Sequence, residues 1–108
     1  MNQQDILTVV YQVIQQRKGA SADSSYVASL FSKGLDKILG KIGEETAEVV
    51  AAAKDGEADK IVYEVADLLF HVLVLLGHQD IEPERIYAEL RRRFGVSGLA
   101  EKAAREQK

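Results

Sequence analysis

The sequence predicts an all-α protein, a bundle of four to five helices. Three observations support this fold class: Pro83 is the only proline, β-branched residues do not alternate with polar ones, and apolar residues recur at spacings of three and four from end to end. The 108 residues suit a single domain, 1–108, with a modest core. Such a chain is short for a deep catalytic cleft of its own, so partner subunits are expected.

The first helix is predicted over about residues 4–17 and stops near Gly19. A polar loop, 19–24, follows it. Ser24 or Ser25 can cap a short helix that ends at Gly34. These two elements supply the first apolar faces of the bundle.

A longer helix is predicted over about 35–54, although it contains Gly40 and Gly43. Each interior glycine costs on the order of 1 kcal/mol relative to alanine. Close approach of a ligand or of a neighbouring helix would account for both, and a break near Gly40 is the alternative.

Asp55 and Gly56 mark a tight turn, after which a helix is predicted over about 57–78. The short turn makes these two long helices antiparallel. Pro83 lies in the first turn of the next helix, which ends after three arginines at 91–93. A final short helix, with Ser97 as a candidate cap, precedes the charged end of the chain.

Composition excludes several function classes. The net charge of -3 provides no positive field for nucleic acid. Without cysteine there is no disulfide or thiolate site, and two histidines cannot build a typical structural zinc site, so any metal must have oxygen ligands. The N-terminus lacks the features of a signal peptide, and charged residues interrupt the apolar runs. We therefore expect a cytoplasmic protein that does not span a membrane.

Two acidic clusters lie inside the most apolar stretches of the chain: Glu44, Glu45 and Glu48 in the first long helix, Glu64 and Asp67 in the second. Like charges three or four residues apart on a helix repel. Bringing the two acidic clusters together in a partly dry interior would cost on the order of several kcal/mol more. A divalent cation would remove this penalty.

The alternative is that each cluster is a solvated helix face. Such faces usually carry lysine or arginine, yet neither occurs between residues 61 and 79. His71 shares the stripe of Glu64 and Asp67, and we predict that it is a hydrogen-bonding neighbour of the metal site rather than a ligand.

The hairpin register predicts that the two clusters face each other. Counted from Gly56, Glu48 and Glu64 lie eight residues away on either side, and Glu45 and Asp67 lie eleven residues away. Four carboxylates, Glu45, Glu48, Glu64 and Asp67, can thus converge on one cation. Oxygen ligands suit Mg²⁺ or Mn²⁺, which bridge protein carboxylates to the phosphates of a nucleotide substrate.

Glu44 is then the spare carboxylate, and we predict that it activates water as a general base. Lys33, Lys37 and Lys41 recur every four residues and form a basic ridge that suits a polyphosphate. For Lys41 the alternative is a plain ion pair with Glu44 or Glu45, worth about 0.3–0.5 kcal/mol.

The chain resembles the MazG-type nucleotide pyrophosphohydrolases through Glu44-Glu45-x-x-Glu48 and Glu64-x-x-Asp67. Within that superfamily it is most similar to the phosphoribosyl-ATP pyrophosphatases of histidine biosynthesis. This closer resemblance is carried by Ser25-Tyr26, by the segment 41–50, by the segment 64–71 and by Ser97-Gly98-x-x-Glu101-Lys102.

The resemblance implies a MazG-like bundle completed by dimerisation. It also implies Mg²⁺-dependent hydrolysis of 1-(5-phosphoribosyl)-ATP between the α and β phosphates. The implied ligands are Glu45, Glu48, Glu64 and Asp67, and Tyr26 joins the substrate-binding residues. On the residues alone, Tyr26 fits better as an amphipathic residue at the edge of the core than as a catalytic group.

Two other functions stay open at this point. One is a general nucleoside-triphosphate pyrophosphatase of the same superfamily, and the other is a non-catalytic helical dimerisation module. The absence of cysteine excludes the zinc site of the cyclohydrolase to which some relatives are fused.

Overall fold

A computed structural model describes residues 5–94 and confirms the all-α prediction, with no strand in that range. The described residues form five helices: α1 (Ile6–Arg17), α2 (Tyr26–Lys33), α3 (Leu35–Asp55), α4 (Ala58–His78) and α5 (Pro83–Phe94). The predicted final helix after Ser97 lies outside the described residues.

Side-chain caps fix where the first two helices begin. Asp5 accepts a hydrogen bond from the backbone N–H of Thr8 at 3.0 Å, so α1 begins at Ile6 rather than near residue 4. Ser25, not Ser24, caps α2 by accepting from the backbone N–H of Ala28 at 3.2 Å. Both caps satisfy backbone donors that would otherwise have no partner.

Helix α3 runs unbroken through Gly40 and Gly43, so the predicted alternative of a break is wrong. A Cβ atom built on either glycine would meet no atom within 4 Å. Packing within residues 5–94 therefore does not explain either glycine. The helix ends at Gly56, whose φ of 79° is the left-handed conformation that favours glycine.

The core lies where four helices meet. Its largest fully buried side chains come one from each of α1 to α4: Ile14, Leu30, Ile38 and Val74. The most extensive packing is between α3 and α4, as the hairpin prediction required. This packing sets the two acidic stripes against each other.

Gly77 allows the close approach of α1 and α2 to α4. A Cβ atom at this position would lie 3.0 Å from Cγ2 of Ile14 and 3.4 Å from Cζ of Phe31. Ile14 is itself fully buried, so it has little room to move.

Much of the apolar surface of α4 is not covered by the rest of the described chain. Only 28% of the residues in the 18-residue apolar window of this helix are buried. By length and composition alone, the helix could also span a membrane. That window contains Glu64 and Asp67, and a charged carboxylate at a bilayer centre costs about 2.5–3.5 kcal/mol. The exposed apolar side chains of this helix include Val62, Tyr63, Val65 and Leu69.

Candidate active site

Glu45 of α3 and Asp67 of α4 meet across the hairpin, as the register predicted. Together with His71 they place one potential ligand atom each within 4.8 Å of one another. Glu45 is only 7% exposed, and Asp67 is partly buried. A buried carboxylate and a partly exposed one thus lie close together.

This crowding raises the pKa of the Glu45 carboxyl above its ordinary value of 4.5. Burial is the largest cause, followed by the hydrogen bond to Asp67 and the negative charge of that neighbour. The imidazole of His71 and the ammonium of Lys41 act in the opposite direction. A carboxylate pair that resists double ionisation is a site that a cation would stabilise.

His71 is buried, 3% exposed, and both of its ring nitrogens are engaged. Nδ1 lies 2.8 Å from the backbone carbonyl oxygen of Asp67, which can only accept, so Nδ1 carries a proton and donates it. Nε2 lies 2.8 Å from the hydroxyl of Tyr26. This geometry fits the predicted role of a hydrogen-bonding neighbour and leaves no ring nitrogen for a metal.

Lys41 lies beside the acidic pair. Its Nζ is 3.7 Å from Oε1 of Glu44 and 3.7 Å from Oε1 of Glu45, so both ion pairs of the alternative interpretation are present. The nearby phenol of Tyr26, and then Glu44, Glu45 and Asp67, raise the pKa of the ammonium. Lys41 is therefore a fixed positive charge at the mouth of the site.

The other predicted carboxylates are more open to solvent. Glu44 and Glu48 are exposed and Glu64 is partly buried. Glu48 and Glu64 do not belong to the group of atoms within 4.8 Å. Each lies three residues closer to the hairpin turn than its partner in that group, which is about one helical turn.

Tyr26 lies at the edge of the same site. The residue is 50% exposed, and its ring stacks on Phe70 with centroids 6.3 Å apart. Burial of the phenol raises its pKa, and Asp67, Glu45 and Glu44 add to this, whereas Lys41 lowers it. The predicted core-edge position is thus correct, and the hydroxyl is part of the polar cluster.

Comparison with known proteins gives the site its context. The family model described as phosphoribosyl-ATP pyrophosphohydrolase matches residues 7–94. A protein of Geobacter metallireducens named phosphoribosyl-ATP pyrophosphatase is 69% identical over 106 residues, covering 97% of this chain and 97% of the relative. The chain belongs to the phosphoribosyl-ATP pyrophosphohydrolase family. This confirms the family predicted from the sequence motifs.

Further relatives with the same name cover nearly the whole chain. The protein of Geobacter sulfurreducens is 64% identical over 108 residues, covering 99% of this chain and all of the relative. That of Methylococcus capsulatus is 57% identical over 102 residues, covering 94% of this chain and 97% of the relative. The family match contains both acidic clusters, so the chain is a member of a hydrolase family with its acidic residues in place.

The donor set of this site fits a hard divalent cation. Its candidate ligands are carboxylate oxygens, and the closest pair, Glu45 and Asp67, is held at a separation that disfavours two negative charges without a counter-ion.

One contact at the site was not foreseen from the sequence. Tyr26 and His71 are 45 positions apart and lie on different helices, and helical spacing carries no information about such a pair. Only the packing of α2 against the rest of the bundle brings them together.

Proposed function

We propose that this protein hydrolyses 1-(5-phosphoribosyl)-ATP to 1-(5-phosphoribosyl)-AMP and pyrophosphate, the second step of histidine biosynthesis. The single observation that carries the proposal is the close pairing of buried Glu45 with Asp67, in a chain that has a 69% identical relative bearing the name of this activity. If Glu45 belonged to a solvated helix face, it would not be only 7% exposed and lie next to another carboxylate.

The proposed cofactor is Mg²⁺, with Mn²⁺ as an acceptable substitute, held by Glu45, Glu48, Glu64 and Asp67. When bound, the ion would neutralise charge on the phosphoanhydride and lower the pKa of a water molecule. Glu45 supplies the buried part of this ligand set, Asp67 and Glu64 are partly buried, and Glu48 extends the set towards solvent.

Glu44 is the proposed general base. Its side chain is 63% exposed and adjacent in sequence to Glu45, so it can reach a water molecule at the open side of the site. The water oxygen forms a bond to the α phosphorus, and a proton of that water passes to Glu44. The bond between the α phosphorus and the oxygen bridging the α and β phosphates breaks. Pyrophosphate leaves with the electron pair of that bond.

Lys33, Lys37 and Lys41 are the proposed phosphate-binding residues. Lys33 and Lys37 are exposed and make no ion pair within residues 5–94. Lys41 is held near Glu44 and Glu45 at 3.7 Å, too far for a hydrogen bond, so it can turn to a phosphate once a cation neutralises those carboxylates. Tyr26 would border the substrate with its half-exposed ring.

We also propose that residues 1–108 form a single domain that works as a homodimer in the cytoplasm. The uncovered apolar side chains of α4, together with exposed Ile86, Leu90 and Phe94 of α5, support a second copy as the cover. Gly40 and Gly43 have open space around them in the described chain, which suits close approach by a partner helix or by substrate.

A panel of substrates tests the proposed reaction. Purified protein with Mg²⁺ should release pyrophosphate from 1-(5-phosphoribosyl)-ATP with a higher kcat/KM than from ATP, GTP, CTP or UTP. A preference for a plain triphosphate would instead identify a general nucleotide pyrophosphatase. No pyrophosphate from any of them would leave the dimerisation module as the function.

A further inference from the structure

His71 is the buried polar side chain for which the proposed reaction supplies no role. It lies on α4 one turn after Asp67, and only 3% of it is exposed. Its ring meets the edges of two aromatic neighbours, Phe70 with centroids 5.1 Å apart and Tyr26 with centroids 5.8 Å apart. These contacts fix the plane of the imidazole.

The two nitrogens then link two helices. The Nδ1–H group donates to the carbonyl oxygen of Asp67 at 2.8 Å and also lies 3.4 Å from Oδ1 of the same residue. Nε2 is 2.8 Å from the hydroxyl of Tyr26 at the start of α2. His71 therefore touches both the backbone and the carboxylate of Asp67, while Tyr26 holds the ring from the far side.

We propose that His71 is a positioning residue, anchored by the Tyr26 hydroxyl, that sets the orientation of the Asp67 carboxylate towards Glu45. The inference rests on the proposed metal site. Loss of the Tyr26 hydroxyl removes the hydrogen bond at Nε2 and so holds the imidazole less firmly, while Asp67 keeps its charge. Groups that orient a ligand in this way typically change metal affinity by about 10- to 100-fold.

The hydrogen positions give a first test that does not depend on activity. The chain has two histidines, so long-range ¹H–¹⁵N spectra of the full protein, with His78→Gln for assignment, can be read for His71 alone. We expect Nδ1 to be protonated both before and after Mg²⁺ is added. An unprotonated Nδ1, or a large shift of either nitrogen caused by Mg²⁺, would make His71 a ligand and overturn the proposal.

Three variants give the second test: Tyr26→Phe, His71→Asn and the double variant. The asparagine amide can still donate to the Asp67 carbonyl but cannot reach Tyr26. We expect each single change to weaken Mn²⁺ affinity, measured by titration calorimetry, roughly tenfold. The double variant should be no weaker than either single one, since both changes remove the same link.

Tyr11→Phe is the matched control. It removes a phenol hydroxyl from a buried tyrosine of α1, where the hydroxyl accepts from Gln15 at 2.7 Å, and it should leave Mn²⁺ affinity unchanged. In kinetics, Tyr26→Phe and His71→Asn should each raise the Mg²⁺ concentration needed for half-maximal rate, and by a similar factor. A raised KM with an unchanged metal requirement would mean that the hydroxyl binds substrate, and would overturn the proposal.

Failure of this inference can be told apart from failure of the proposed function. If the wild-type enzyme is active and neither single change alters Mn²⁺ affinity, only the positioning role is rejected. A wild-type protein that binds Mn²⁺ through this network but releases no pyrophosphate rejects only the proposed reaction.

Discussion

At the scale of single residues, Glu45 is where stability and function oppose each other. Its burial next to Asp67 raises the pKa of its carboxyl, because the folded protein disfavours the charged form. A carboxylate that is charged in such a place weakens the metal-free fold, and the cation of the proposed site would offset that cost. Glutamine, the neutral isostere of this glutamate, should therefore separate the effect on stability from the effect on function.

Glu45→Gln should raise the melting temperature of the metal-free protein and abolish the further rise that Mg²⁺ gives to the wild type. Pyrophosphate release should fall by at least about 100-fold. Glu82→Gln, which changes an exposed carboxylate outside the site, is the control and should alter neither property. An unchanged Mg²⁺ response in Glu45→Gln would remove this residue from the ligand set.

Glu89 of α5 makes the clearest pH-dependent contribution among the described residues. Hydrogen bonds from Arg92 and Arg93 lower the pKa of its carboxyl from 4.5 to about 2. A lowered pKa stabilises the fold fully above about pH 4.5, and that stabilisation is lost as the pH falls towards about 2. The site is exposed, so the effect is small.

Urea unfolding of the wild type and Glu89→Gln at several pH values checks this. The two proteins should differ most near neutral pH, with the wild type more stable, and should converge as the pH approaches about 2. A difference that is constant over the whole pH range would contradict the assigned pKa.

At the scale of elements, the glycines in helices separate into two kinds. Gly77 is required by packing, since a Cβ there would lie 3.0 Å from Cγ2 of buried Ile14, whereas Gly40 has open space. Gly77→Ala should lower the free energy of unfolding by about 1 kcal/mol or more, because overpacking outweighs helix propensity.

Gly40→Ala is the matched change and should raise the stability of the isolated fold by about 0.5–1 kcal/mol. Chemical denaturation of both variants gives the comparison. Equal effects of the two substitutions would contradict the distinction between a packed and an open glycine.

Much of this level of structure could be predicted from the sequence. Periodicity and the turn at Gly56 gave α3 and α4 nearly to the residue, and the hairpin register placed Glu45 opposite Asp67. Local patterns could not supply the Tyr26–His71 contact or the need for glycine at 77, because both arise from distant parts of the chain packing together. The convergence of Glu48 and Glu64 on the same cation stays a prediction.

At the scale of the whole molecule, the apolar surface of α4 is left partly uncovered by the rest of the described chain. Val62 is 68% exposed there, so a charge at this position should not disturb the fold of one chain. It would, however, be buried without a partner if a second copy covers the helix.

Val62→Asp should therefore shift the protein from dimer to monomer in sedimentation equilibrium while its helical circular dichroism is kept. Ala20→Asp, in the exposed loop between α1 and α2, should leave the dimer intact. A wild-type protein that is monomeric at all concentrations would reject the proposed homodimer.

Carboxylates of α3 and α4 are proposed to hold the cation on which hydrolysis depends. Pyrophosphate release from 1-(5-phosphoribosyl)-ATP, measured against Mg²⁺ concentration for the wild type and for Asp67→Asn, tests this most directly. We predict release that rises with Mg²⁺ in the wild type and is nearly absent in Asp67→Asn at every Mg²⁺ concentration. Equal rates for the two proteins, or release that does not depend on a divalent cation, would contradict the account.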